Sequence, residues 1–369
     1  MDRISHKPAA VELKPEMDRD TEQPDFLGRA GTIAQRMTLA TSVMFSTMTH
    51  DGQRVEAADV NDGMQWGEIN RALKDDAYTA LREQGLGLFL RKDGSLRVLL
   101  PVRGDIYKVQ HNTGKMRGQI DADITAGNAE AFCLTHVHTA YQMRRILNMP
   151  ELDPRSKKLY NPPSTLDVSL AEQVTLNILF PPYQIRFTNA VRDPAGLWYY
   201  RLATEADYQK NPELVPQFRQ LRMIIRSVLG PMENRLKEMA APELEQLAAL
   251  LPPPVQKSLA EIAGNKDTWT SNARFSIYKG LLEHNQQLAE YFYKGQDDAK
   301  RIYVAVQGEI RNRAARLSQE ILIFMRQTVF RKPTEADFNT LSRKYLELAG
   351  AYIRFVPDEN VEKEKACAG

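Results

Sequence analysis

DDAKRIYVAVQGEIRNRAARLSQEILIFMRQTVFRKPTEADFNTLSRKYLELAGAYIRF, residues 297–355, carries the most regular pattern in the chain. Ile302, Val306, Ile310, Ala314, Leu317, Ile321 and Phe324 recur every three or four residues, which places them on one apolar stripe of a helix. Asp297 and Asp298 open that helix, where negative charge suits the positive end of its dipole. Arg326, Arg331 and Lys332 lie towards the other end, where positive charge is favoured. Pro333 has no N–H to give and cannot continue it. Thr334-Glu335-Ala336-Asp337 then reads as a capping box, with Asp337 in place of the usual Glu. Phe338, Leu341, Tyr345, Leu348, Tyr352 and Phe355 follow in helical phase, so a second amphipathic helix is expected to run to residue 355. Two long helices joined by so short a link fold back antiparallel, and their stripes call for further helices to cover them.

Upstream of this hairpin, helical stripes recur from Thr204 onward. Phe218, Leu221, Ile225 and Val228 share a face before Gly230-Pro231, which is expected to break the helix. Pro252-Pro253-Pro254 reads as a stiff elbow. The first half is different. Residues 67–83 read as a helix stopped by Gly85. Lys92-Asp93-Gly94-Ser95 between two apolar runs predicts a β-hairpin with a type I′ turn. Asp105 to Gln110 is a candidate third strand and His111 to Gly118 a loop. Ala126 to Asn148 reads as a helix, and Tyr183–Val191 and Leu197–Leu202 as strands around Asp193-Pro194-Ala195-Gly196. The fold class expected is α+β, predominantly α, with a mixed N-terminal half of short antiparallel hairpins and an all-helical C-terminal bundle. The divisions expected are a disordered tail over 1–25, an α+β domain over 26–155, a connector with a β-hairpin over 156–203, a helical bundle over 204–356 and a charged tail over 357–369.

The balance of 49 basic and 47 acidic residues argues against a surface coated with one sign, as many non-specific nucleic-acid binders have. Two cysteines, Cys133 and Cys367, make no disulfide framework, which suits a reducing compartment. Residues 1–25 lack the apolar core of a Sec-type leader, and no apolar run reaches the length of a bilayer span. A soluble cytoplasmic protein is the expectation, with export by a route that reads an uncleaved N-terminus left open.

Chemistry is thinly marked. Thr135-His136-Val137-His138 resembles the opening of the metallo-β-lactamase-type Thr-His-X-His-X-Asp-His motif, but Ala140 and Tyr141 stand where the Asp and last His belong. On the helix expected over this stretch the two histidines point about 200° apart, a poor arrangement for one metal. Cys133 and His136 would share a face there, and a thiolate–imidazole pair makes them weak catalytic candidates. A buried helix with a satisfied histidine is the simpler reading. Asp121 and Asp123 could share a face if extended, but no third ligand is apparent. No cofactor and no metal are expected.

Three functional readings follow. The favoured one is a non-enzymatic protein-interaction role for the C-terminal bundle, with Arg311, Arg313 and Arg316 as the partner-binding surface; against it, Glu309 and Glu320 are placed to pair with Arg313 and Arg316. The second is nucleic-acid binding or maintenance by a winged-helix-like unit at 67–102, through Arg71, Lys74, Arg82, Arg91 and Lys92. The third is a cysteine-dependent hydrolase or transferase using Cys133 and His136. Partner identity and oligomeric state are not written in the sequence.

Overall fold

The computed structural model describes residues 60, 64–106, 111, 113–149, 159–169, 186–250, 280–281, 286–364 and 366–367. Six strands form one mixed sheet in the order β2-β1-β3-β4-β5-β6. Helix α1 (Trp66–Thr79) leads into β1 (Gln84–Arg91) and β2 (Leu96–Arg103), and α2 (Thr113–Thr125) into β3 (Ala129–Val137) and α3 (Ala140–Leu147). Strands β4 (Arg186–Asp193) and β5 (Gly196–Leu202) come next. They are followed by α4 (Glu205–Tyr208), α5 (Val215–Glu238), α6 (Ala241–Ala249) and α7 (Gln286–Phe292). The chain then runs through α8 (Asp297–Phe330), α9 (Glu335–Ala349), β6 (Ala351–Pro357) and α10 (Asp358–Val361). Neighbouring strands are antiparallel except β3 and β4, which run parallel.

Both faces of the sheet are covered. On one, Leu86, Leu88, Ala131, Cys133, Leu197 and Tyr199 pack against Ile69 and Leu73 of α1 and against Val361, Ala366 and Cys367. On the other, Phe89, Phe132 and Leu134 pack under Met116 and Ile120 of α2. Further along that face, Trp198, Tyr200 and Ile353 pack under Leu317 and Phe324 of α8 and Leu341 and Tyr345 of α9.

The hairpin of α8 and α9 forms as expected. Thr334 Oγ1 accepts from the Asp337 N–H at 3.3 Å while the Thr334 N–H donates to Asp337 Oδ2 at 2.7 Å. Its two ends depart from the sequence reading. Tyr303 and Gln307 face inward in the first turns of α8, and Ile302 is half exposed. The second helix stops at Ala349, because Gly350 takes a left-handed conformation with φ of 62°. Residues 351–357 then form the edge strand β6 on β5. Tyr352 and Phe355 thus belong to a strand, and their helical spacing from Leu348 is coincidental.

Further expectations are corrected. Ala126–Asn148 is a strand followed by a short helix. Because β3 is buried on both faces it shows no alternation, and its apolar run passes for a helix stripe. Residues 113–118 lie in α2 and not in a loop. Gly230-Pro231 does not end a helix, since α5 continues through Pro231. The β1–β2 hairpin forms, but among its turn residues only Gly94 has positive φ, so the turn is not type I′; Asp93 Oδ1 accepts the Ser95 N–H instead. Gly85 lies inside β1 rather than at a helix end. A Cβ there would stand 2.6 Å from His111 Cε1 and 3.1 Å from the Thr135 carbonyl oxygen, so a larger residue would force the histidine aside. Asp105–Ile106 adds no strand, and residues 107–110 lie outside the described residues, as does the expected tail at 1–25. The expected boundary near residue 155 falls between β3 and β4 of one sheet.

Candidate metal centre

Strand β3 delivers two histidines to one side of the sheet. His136 is its penultimate residue. His138 follows it, and its backbone N–H donates to the Arg192 carbonyl at 2.9 Å, which prolongs the pairing with β4. Spacing of two on an extended chain puts both rings on the same face. Their Nε2 atoms lie 3.2 Å apart. Thr139 then turns the chain into α3 by accepting the Gln142 N–H at 3.0 Å.

The third group arrives from the 159–169 segment. Ser164 and Asp167 cap one another: the Ser164 N–H donates to Asp167 Oδ2 at 2.6 Å, and the Asp167 N–H to Ser164 Oγ at 3.3 Å. Tyr345 of α9 donates its hydroxyl to the Pro163 carbonyl, which ties this turn to the C-terminal hairpin. Asp167 is thereby placed 3.1 Å from His136 Nε2 and 3.3 Å from His138 Nε2.

One ligand atom from each of His136, His138 and Asp167 falls within 4.8 Å of the others. A zinc ion about 2.0–2.1 Å from each ligand in tetrahedral geometry spaces those ligands about 3.3 Å apart. The two histidine nitrogens, 3.2 Å apart, match that spacing, and Asp167 reaches them with different oxygens, Oδ1 at 3.1 Å from His136 Nε2 and Oδ2 at 3.3 Å from His138 Nε2. His138 Nδ1 lies 3.0 Å from the Asn161 carbonyl oxygen, so Nδ1 carries the hydrogen and Nε2 presents a lone pair inward in the neutral ring, as a metal ligand requires.

Glu83 completes the cluster. Its backbone is held between α1 and β1, with its N–H donating to the Asp105 carbonyl and its carbonyl accepting from the Gly104 N–H, both at 2.8 Å. Its carboxylate is buried and lies 3.9 Å from His138 Nε2. Gln142 Nε2 donates to Glu83 Oε1 at 2.8 Å, and Asn161 Nδ2 donates to Gln142 Oε1 at 3.2 Å. Asn161 therefore reaches both groups, Glu83 through its side chain and His138 through its carbonyl. Its own N–H donates to Asp193 Oδ2 at 2.7 Å, where Trp198 Nε1 also donates at 2.7 Å.

Charge is finely set here. Burial pushes the Glu83 carboxyl above its ordinary range, with His138 and His136 pulling the other way. Burial also works against a charged His138, yet the hydrogen bond and charge of Asp167, with Glu83 behind them, raise it to about 9. Asp167 is held well below the usual carboxylate range: burial raises it, but the two histidines outweigh that. A divalent cation bound here would displace the proton that the raised His138 otherwise holds.

The sequence candidates fare differently. His136 joins the cluster, but Cys133, three residues earlier on a strand, points to the opposite face and packs in the α1 core. Arg313 is turned inward, bonded to Glu309 at 2.7 Å, to the Glu347 carbonyl and to Gln220; Arg311 bonds the Gln307 carbonyl, and Arg316 stands 3.5 Å from Glu347. The helix–hairpin unit is no free-standing wing, because β1 is paired on both sides, with β2 and β3. Arg71, Arg82 and Lys92 are exposed, Lys74 is paired with Asp358 at 2.7 Å, and Arg91 with Asp123 at 2.9 Å on α2. Asp123 lies on a helix, committed to Arg91, and not beside Asp121 on a strand.

Glu83, Asp167, Gln142 and Asn161 were missed. The only signal available was the His-X-His spacing, which on a strand, unlike a helix, brings both rings together. Among the described residues no helix is long and apolar enough to cross a membrane. No protein-family model, curated protein or solved structure matches the chain.

Proposed function

We propose that this protein is a single-metal hydrolase, with His136, His138 and Asp167 holding zinc and Glu83 acting as general base. The observation that carries this reading is the ligand triangle with a buried, pKa-raised carboxylate beside it. Two imidazoles and one carboxylate make the three-ligand set of catalytic zinc, which leaves a fourth position for water. Zinc supplies Lewis acidity there and lowers the pKa of that water. Glu83 would take the water's proton; its Oε1, the oxygen 3.9 Å from His138 Nε2, is oriented by the hydrogen bond from Gln142. A carboxyl whose affinity for protons is raised by burial can also return the proton to a leaving group.

Amide bonds are the substrate class this arrangement suits best. Displacement at phosphorus commonly uses two metals about 3.5–4 Å apart, whereas one ligand group is found among the described residues. Amide cleavage needs one Lewis acid and a base that afterwards protonates a poor amine leaving group. This reading displaces the cysteine-dependent one, since Cys133 does not face His136.

The test begins with the purified full chain, stripped with chelator and titrated with zinc. One tightly bound zinc per chain is expected, with binding abolished by His138→Ala and by Asp167→Ala. Glu83→Gln should keep the metal and lower hydrolysis of a mixed peptide library about 10²–10⁴-fold. A stripped chain that takes up no zinc at neutral pH would overturn the proposal.

A further inference from the structure

The second face of β3 carries chemistry that the metal centre does not use. Cys133 is 1 % exposed and Cys367 2 % exposed, and both sit in the core under α1. They come from distant parts of the chain. Cys133 lies mid-strand, directly paired with Leu88 of β1. Cys367 comes from the segment that follows α10 and folds back across the sheet, where its Sγ contacts the Leu88 carbonyl oxygen at 3.6 Å. Both cysteines thus meet at Leu88, which pairs with Cys133 across the strands and offers its carbonyl to Cys367, within one buried cluster. Cys367 holds a left-handed backbone with φ of 60°, a conformation unfavourable for a residue with a Cβ. The segment is also pinned by ion pairs of Asp358 with Lys74 and with the buried Arg192 and of Glu364 with Arg354 at 3.0 Å, by hydrogen bonds from the Asp358 N–H to the Ala195 carbonyl at 3.1 Å and from Trp66 Nε1 to the Val361 carbonyl at 3.3 Å, and by burial of Val361 and Ala366.

We propose that Cys133 and Cys367 are a redox pair, which a small-molecule disulfide such as oxidised glutathione converts to a disulfide clasping the 358–367 segment to the sheet. The Cys367 thiolate attacks one sulfur of the oxidant. The oxidant's S–S bond breaks, a mixed disulfide forms and one glutathione thiol leaves. Cys133 then attacks the Cys367 sulfur and expels the second glutathione. Two protein thiols are oxidised, one glutathione disulfide is reduced to two thiols, and the two protons released by the cysteines end on those thiols. Burial holds the Cys367 thiol well above its ordinary pKa, so the docked pair is inert and exchange proceeds through local opening of the segment. Opening of the segment therefore sets the rate of exchange, with its ion pairs among the contacts that oppose opening, while the placement of both thiols beside Leu88 sets the product.

The full-length protein, reduced and metal-free, is incubated with oxidised glutathione, and its intact mass and non-reduced peptide map are followed with time. The expected product has lost two hydrogens and yields one cross-linked peptide joining Cys133 to Cys367. It melts several degrees higher than the reduced form, and dithiothreitol reverses the shift. Cys133→Ser and Cys367→Ser should each accumulate a single glutathione adduct instead. Asp358→Asn, which loosens the segment without touching either thiol, should speed cross-linking severalfold. A wild-type chain that collects separate glutathione adducts, or that stays reduced even in mild denaturant, would overturn the proposal. Neither outcome bears on zinc binding by the opposite face.

Discussion

Gln142 shows how much of the site rests on one amide. It donates to Glu83 and accepts from Asn161, so a single side chain aligns the base with the segment that also orients His138. Partners of this outer kind are commonly worth about 10–100-fold in metal affinity or activity. Gln142→Leu is accordingly expected to lower hydrolysis about 10–100-fold while one zinc per chain is retained, as measured by metal analysis beside a peptide-cleavage assay. Loss of zinc together with activity would instead make Gln142 part of the metal cage. Gly350 is a second position decided by a single residue. Its φ of 62° strains any residue with a Cβ, and that Cβ would stand 2.1 Å from Leu221 Cδ2, so the leucine would have to move. Gly350→Ala should cost more than about 1 kcal/mol, read from urea denaturation.

At the level of elements, the recurring caps respond to acid. Thr204–Asp207 and Thr334–Asp337 both close capping boxes, and each Asp also binds an arginine, Arg201 or Arg331. Asp337 is held below its ordinary pKa first by the Arg331 hydrogen bonds and then by Thr334. Asp207 is lowered by Arg201 and Thr204 against an opposing effect of burial. Both carboxyls are depressed on folding, so their stabilisation is complete above the unfolded carboxylate pKa and is lost as pH falls through their folded values. Denaturation midpoints should therefore fall progressively below about pH 4, and Asp337→Asn should flatten that fall. Thr334→Ala removes the other half of one box and should cost about 1 kcal/mol at neutral pH.

At the scale of the whole molecule, the proposed metal centre depends on the C-terminal hairpin. Tyr345 of α9 holds the Pro163 carbonyl, and the turn that follows presents Asp167. The same hairpin covers Trp198, whose Nε1 donates to Asp193, the residue that anchors Asn161. Tyr345→Phe keeps the packing and removes the tether. It should weaken zinc binding roughly tenfold with little loss of thermal stability, a combination that a purely structural role would not produce. The α8–α9 pair is thus both a packing element over the sheet and the support for one ligand.

Local pattern was enough for the hairpin of α8 and α9, its capping box, the β1–β2 turn region and the β4–β5 pair, because each is specified by neighbours within a few residues: a cap, a stripe, a Gly in a turn. An α+β class with helices in the majority also followed from those patterns. Sequence alone could not separate a doubly buried strand from a buried helix at 129–137, since burial on both faces erases the period-2 alternation that distinguishes them. That one ambiguity hid the site, because His136 and His138 diverge on a helix and converge on a strand. Glu83 and Asp167 carry no local signal of their role. They were brought to the histidines only by the pairing of β1 with β3 and by the docking of the 159–169 segment under α9, long-range contacts that depend on how the buried faces fit together.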